Sequence, residues 1–429
     1  MKNKNTYLFI LFAVTNLSWF YITPIMFSFP IKGFPIFYYI LRGLLLLFSV
    51  FLLVKILAVY IKQKLNSSVK GMMALIFVFL FLFYVSEFVF TFVAQTNGTN
   101  NTYTSKTWFY KYWRLNPQGY RDVDYQKLSE TKKPIIFFSG DSYTEGHGIK
   151  SPDDRFSNIV RNKFPNYTVY NGGKCGWGIF EEINQITQMP IRPNYIFLQL
   201  FSNDWDYLLD KLPPTSSLKP NVLFAETNND FFSKYSVSCN YLFANFNNII
   251  ENISLFNRIT DAQFKEGVSK FKITESLKNV PKNGLDFLYY AYQHNNIPKD
   301  SLNIVMDGII SSISPNFRVV KDSALFSDYL NKLTYLNNVC NHQNTQLIVM
   351  PFPSFDVVSI QIFENYTLPP LIDLLKKRGL KVINVLPDLQ KANLKYYSVN
   401  KYDAHANEAS NAVIANTIIH YMHDSLNIH

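Results

Sequence analysis

Residues 134–146 read PIIFFSGDSYTEG. The run opens apolar without alternating, then stops on Ser139-Gly140-Asp141-Ser142. Unbroken apolarity suits a strand covered on both faces, as in a parallel sheet. Gly-Asp-Ser marks a tight turn, and a helix start follows it. Strand, turn and helix in that order form the building unit of an α/β sheet.

Working outward, four more runs share the pattern: 167–173 (YTVYNGG), 194–202 (NYIFLQLFS), 345–353 (TQLIVMPFP) and 379–387 (GLKVINVLP). Helix-like segments alternate with them at about 153–164, 178–188, 323–342, 366–378 and 407–424. The rhythm predicts an α/β domain over 134–429 with a parallel sheet. Residues 206–320 break it, with helical patches and few strand signals. They read as a mainly helical insertion that covers a site, binds a partner or merely pads the structure.

The amino-terminal part is of another kind. Three apolar stretches, about 7–27, 35–61 and 71–94, each reach the ~20 residues that cross a bilayer. The first lacks a small-x-small cleavage site and two more follow, which argues against a signal peptide. Of the chain's net charge of +10, residues 1–96 hold eight cations against one anion, hence +7. The basic balance is therefore a topology signal and not a nucleic-acid footprint. Lys2 and Lys4 precede the first span, and Lys62, Lys64 and Lys70 lie between the second and third. The positive-inside rule places those flanks in the cytoplasm and everything after Ala94 on the far side. Arg42 and Glu87 lie inside apolar runs. At ~1.5 Å per residue they stand ~28 Å and ~24 Å from the cytoplasmic ends of their spans. Either they pair near the outer interface or each snorkels to the headgroups. Residues 96–133, polar at first, read as a tether and lead-in.

Only 17% of the residues are charged, a deficit that fits part of the chain lying in lipid. Aromatics at 17% exclude a disordered chain. Cys175, Cys239 and Cys340 offer no CxxC spacing, which excludes a structural zinc site and a disulfide-built scaffold. They read as buried free thiols, with one Cys239–Cys340 bridge as the alternative. No cofactor or metal site is expected.

In such sheets ligands bind beyond the carboxyl ends of the strands. Ser142 ends the first run and is either an exposed nucleophile or part of a helix cap. The second ends in NGGKCGWG (171–178), where a free N–H can stabilise an oxyanion or the glycines simply turn the chain. Asn203, in FSND after the third run, could aim its amide at the same point or belong to an ordinary loop. Near the carboxyl terminus, Asp403 and His405 (YDAHAN, 402–407) offer a base with an orienting carboxylate. The pair reads as lying on a loop entering the final helix. His147 reads as a solvent-facing loop residue, with a place in the pocket wall as the alternative. Trp205 and Tyr207 stack on a sugar ring or pack a core or lid. His420, His423 and His429 lack the supporting ligands of a metal site.

The conjunction of the four blocks resembles the SGNH hydrolases, also called the GDSL esterase/lipase family. The matches are Ser142 in GDSYTEG, Gly176 in NGGKCG, Asn203 in FSND and His405 in DAH. The resemblance spans about 114–426, with the insertion outside it. The lead-in LNPQGYRD (115–122) is similar to the segment before the nucleophile strand in membrane-anchored members. Ser202 stands where the third block usually has glycine, and Tyr143 where leucine is common. Gly176 is chosen over Gly173 and Gly178 by its spacing from Asn171.

The resemblance implies a three-layer α/β/α sandwich with a five-stranded parallel sheet. It implies Ser142 as nucleophile, His405 as base and Asp403 as the residue orienting it. The N–H groups of Ser142 and Gly176 and the Asn203 side chain would form the oxyanion hole. The expected activity is a membrane-anchored extracytoplasmic serine esterase removing O-acyl groups, acetyl foremost, from cell-surface glycans or lipids. The alternative is an O-acyltransferase modifying cell-envelope polysaccharide, beside a multispanning acyl-donor protein in the membrane. A non-catalytic scaffold is the third class, and the intact Ser, Asp and His set argues against it.

Overall fold

The computed structural model describes residues 2–29, 35–62, 66–97, 102–123, 132–190, 192–212, 231–245, 315–356 and 359–428. The chain divides into two compact units: residues 1–113 with 221–250, and residues 114–220 with 251–429.

The first unit holds three helices long and apolar enough to cross a membrane: α1 (Lys2–Met26), α2 (Ile36–Ile61) and α3 (Ser67–Phe92). Their outward faces carry large exposed apolar side chains, such as Leu44, Phe51, Phe79 and Leu82. Arg42 and Glu87 are fully buried and pair at 2.5 Å. Arg42 Nε also donates to Thr23 Oγ1 at 2.9 Å. Residues 231–245, from the stretch expected as an insertion, close over Glu87. Its carboxylate accepts the Val237 N–H at 3.1 Å, the Ser238 N–H at 3.0 Å and both the Ser236 and Ser238 hydroxyls. Every carboxylate oxygen is thus satisfied, which a buried charge requires. The rest of 213–314 lies outside the described residues. Within the stretch read as a tether lies a ten-residue helix, α4 (Tyr103–Tyr112), capped by Thr102, whose side chain accepts the Ser105 N–H. Tyr103, Trp108, Phe109 and Tyr110 are buried on it.

The second unit is built on five parallel strands: β1 (Ile135–Ser139), β2 (Thr168–Asn171), β3 (Tyr195–Leu200), β4 (Gln346–Pro351) and β5 (Lys381–Val382). Their order is β2-β1-β3-β4-β5. From β1 the chain moves to one side, to β2, and thereafter always to the other. Right-handed crossovers then put the helix after β1 on one face and those after β2, β3 and β4 on the opposite face. Packing agrees, since Phe156–Lys163 lies against the final helix Glu408–Leu426, and Ile179–Thr187 against Ser323–His342. The result is a three-layer α/β/α sandwich. Strands β1, β3 and β4 are almost wholly buried, as unbroken apolar runs require. The direction of winding reverses between β1 and β3, so their carboxyl ends form the crevice where such sheets bind ligands. A short antiparallel pair, β6 (Ser398–Asn400) and β7 (Asp403–Ala406), stands apart from the sheet.

Candidate active site

Gly140 takes the chain out of β1 with φ +149. A Cβ there would meet Thr144 Oγ1 at 2.4 Å and Gln199 Oε1 at 2.5 Å, so only glycine fits without forcing the turn open. Asp141 caps the short helix Ser142–Glu145, its buried carboxylate accepting the Tyr143 N–H at 2.9 Å. Ser142 therefore occupies the first helical position, where a backbone N–H has no partner within the helix.

Ser142 Oγ lies 2.7 Å from His405 Nε2. His405 Nδ1 lies 2.6 Å from Asp403 Oδ1, which also accepts the His405 backbone N–H at 3.2 Å. Asp403 and His405 were expected on a loop; they stand instead on β7. Residues two apart on a strand project to the same face, which is how so short a spacing brings the carboxylate to the ring. The hairpin is too short to show an alternating pattern in the sequence. Asn407 follows it and caps the final helix by accepting the Ser410 N–H at 2.9 Å. Tyr143 stacks beside His405 with ring centroids 4.8 Å apart and packs on Phe201 and Phe355.

The glycine loop after β2 sorts its own donors. The N–H groups of Gly172, Gly173 and Gly178 go to Phe138 O, Asn171 Oδ1 and Glu181 Oε2. That of Gly176, an exposed residue at φ +79, has no hydrogen bond among the described residues. Asn203 follows β3, and its side-chain amide stands close enough to the Asp141 carboxylate to draw it down against burial. An amide nitrogen carries two hydrogens, enough to serve that carboxylate and a developing oxyanion.

Burial alone would raise the Asp403 carboxyl, but His147 and His405 beside it override that and hold it well below the usual carboxylate range. Burial pushes Asp141 up, against the Tyr143 N–H and the attraction of His405. Burial and then Glu145 push the Cys175 thiol up, so this cysteine beside Gly176 stays a neutral thiol. All three cysteines are free.

The sequence reading gave His147 the solvent-facing place first and the pocket wall second. His147 is 4% exposed, not solvent-facing, and its Nδ1 lies 3.3 Å from Asp403 Oδ2. It also left the lead-in unexplained. Arg121, buried there, donates to the carbonyls of Gly146 and Ile149 at 2.5 Å each and clamps the loop after the Ser142 helix. Asp122 accepts from Arg161 at 2.7 and 2.8 Å and from the Asn171 N–H at 2.7 Å, tying the end of β2. The adjacent Arg-Asp pair was the available signal. Trp205 is a core residue at 4% exposure, and Tyr207 bonds Asp328 at 3.0 Å.

Among the described residues one group could hold a metal ion: His147, Asp403 and His405, with ligand atoms within 4.8 Å of one another. His405 already spends both ring nitrogens on Ser142 and Asp403, which suits proton transfer better than metal ligation.

No family model matches the chain, and no curated protein sequence does. Similar solved structures include a member of the lipolytic G-D-S-L family from Veillonella parvula, with 11% identity over 68% of this chain and 98% of that one, at a TM-score of 0.33. Another is Axe2, an acetylxylan esterase from Geobacillus stearothermophilus, with 10% identity over 67% and 93% and a TM-score of 0.30. A third is an alpha/beta hydrolase enzyme from the metagenome of Lake Arreo, with 11% identity over 67% and 94% and a TM-score of 0.28. At such scores the likeness carries no weight, and function rests on the residues themselves.

Proposed function

We propose that the chain is a membrane-anchored serine esterase. The observation that carries this is the unbroken hydrogen-bonded line from Ser142 Oγ through His405 to Asp403, at 2.7 and 2.6 Å. Nε2 of His405 takes the Ser142 proton as Oγ attacks the ester carbonyl. The negative charge that develops on the carbonyl oxygen meets the N–H groups of Ser142 and Gly176 and the Asn203 amide. Collapse of the adduct breaks the ester C–O bond, and His405 returns the proton to the leaving alkoxide. Water, deprotonated by the same ring, then releases the acid and restores Ser142. Asp403 fixes the tautomer, with the proton on Nδ1, and stabilises the imidazolium that forms.

The proposed substrates are O-acyl groups, acetyl foremost, on cell-surface glycans or lipids. The support is the lysine asymmetry around the three apolar helices, which directs the chain after Ala94 away from the cytoplasm. A reporter fused at Lys133 should read the outer face, and a cytoplasmic signal would overturn that placement.

The decisive test uses the full chain in detergent with 4-nitrophenyl acetate and with acetylated sugars, measuring both release and transfer of the acyl group. Ser142→Ala should lose essentially all turnover while melting at the parent's temperature. A variant as active as the parent removes the nucleophile and the reading with it. Preferred transfer to an added sugar hydroxyl over water would make the enzyme an acyltransferase using the same serine.

A further inference from the structure

We propose that His147 is a positioning residue for this reaction: its Nδ1–H holds the second carboxylate oxygen of Asp403, so the acid that orients His405 is itself fixed from both sides. The proposal rests on the esterase reading above.

Asp403 is 1% exposed. Its Oδ1 serves His405 twice, through the ring and the backbone. Its Oδ2 is buried with no hydrogen bond of ordinary geometry among the described residues, and His147 Nδ1 faces it at 3.3 Å. A buried carboxylate oxygen left without a donor is costly, so a donor facing it at this distance is held there. A small tilt of the His147 ring closes the gap, and with it the freedom of the carboxylate to rotate away from His405.

The surroundings hold His147 to this place. Its backbone N–H donates to Ser142 O at 2.9 Å, so it moves with the nucleophile turn. Gly148, at φ +82, leaves room for Val399 of β6, where a Cβ would come within 2.4 Å. The His147 loop is thereby keyed to the hairpin that carries Asp403. Arg121 clamps the same loop through the Gly146 and Ile149 carbonyls. The titratable and charged groups facing His147 are Asp403 and His405 on β7 and Arg121 in the lead-in. The two imidazoles lie 4.3 Å apart between centroids. Burial first, then His405 and Arg121, hold His147 below its usual range against the pull of Asp403. It therefore serves as a neutral donor, not as a second cation competing with the His405 imidazolium.

The test compares His147→Phe, which keeps a ring without nitrogen, and His147→Asn, whose amide nitrogen replaces Nδ1, in the full chain. The phenylalanine variant should lose about 10- to 100-fold in kcat with KM little changed. Its acid limb should move to higher pH, because Asp403 loses a donor and attracts the His405 proton more strongly. The asparagine variant should recover most of the parent's kcat. If His147→Phe does not fold, His147→Leu is read the same way. Parent-like kcat and acid limb in the folded variant overturn the proposal. So does an asparagine variant that falls as far as phenylalanine at an unchanged melting temperature. Both results leave the esterase reading standing, which fails only with an active Ser142→Ala.

Discussion

Glu364 lines a cavity of about 80 Å³ at the carboxyl ends of β3 and β4, together with Phe201, Ser202 and Phe352. Burial raises its carboxyl from 4.5 to about 7, although it accepts the Ser354 N–H at 2.8 Å and the Thr367 hydroxyl. A raised folded-state value means that the folded protein binds this proton more tightly than the unfolded chain. Below pH ~4.5 both states are protonated and the site is neutral to stability. Between ~4.5 and ~7 the unfolded chain ionises first, and stability falls as pH rises. Above ~7 the full penalty applies, on the order of 3 kcal/mol from 2.5 units at ~1.4 each. Glu364→Gln removes the ionisation. Its carbonyl still accepts the Ser354 N–H, and the Thr367 hydroxyl can turn and accept from the new amide. The variant should match the parent at pH 4 and exceed it at pH 8 by about 1–3 kcal/mol, at ~2–4 °C per kcal/mol for a large domain. Calorimetry of the full chain in detergent at pH 4, 5, 6, 7 and 8 would show it. A melting-temperature difference that stays flat with pH, or turns negative at pH 8, would falsify the assignment.

Two further outcomes follow from the site and the membrane unit. Asn203→Ala should cost about 10²–10³ in kcat with little change in KM, as loss of one oxyanion donor does; less than a twofold change in steady-state kinetics removes Asn203 from the hole. Glu87→Ala leaves the Arg42 guanidinium buried without its carboxylate and should destabilise the first unit by about 3–5 kcal/mol. Arg42→Met combined with Glu87→Leu should recover much of that in thermal melts, and additive losses would show that the pair is not coupled.

Strands β1, β3 and β4 could be read from the sequence because each is almost unbrokenly apolar, the mark of burial on both faces. The fifth was read too long: of 379–387 only Lys381–Val382 pairs, because an edge strand beside β4 need not extend further. His147 was expected to face solvent, with the pocket wall only as the alternative, for the opposite reason. Nothing local distinguishes it from an exposed loop residue, and its burial comes from a hairpin more than 250 positions later in the chain. Arg42 and Glu87 stood out as charges in apolar runs, yet the serines that complete Glu87's shell sit in a segment the sequence assigned to an insertion.

Features that depend on neighbours along the chain are legible in the residue order: three apolar helices with lysine-flanked ends, strands and helices in alternation, and a serine, a glycine loop and an asparagine at strand ends. Tertiary structure alone decided what depends on groups distant in the chain. It left the Gly176 N–H without a partner among the described residues while occupying those of Gly172, Gly173 and Gly178, set Asp403 and His405 on one face of a strand, and drew His147 in behind them. Local pattern follows from periodicity and burial, whereas a hydrogen bond needs two atoms within about 3 Å of each other, to a tolerance of a few tenths of an ångström that no spacing in the sequence encodes.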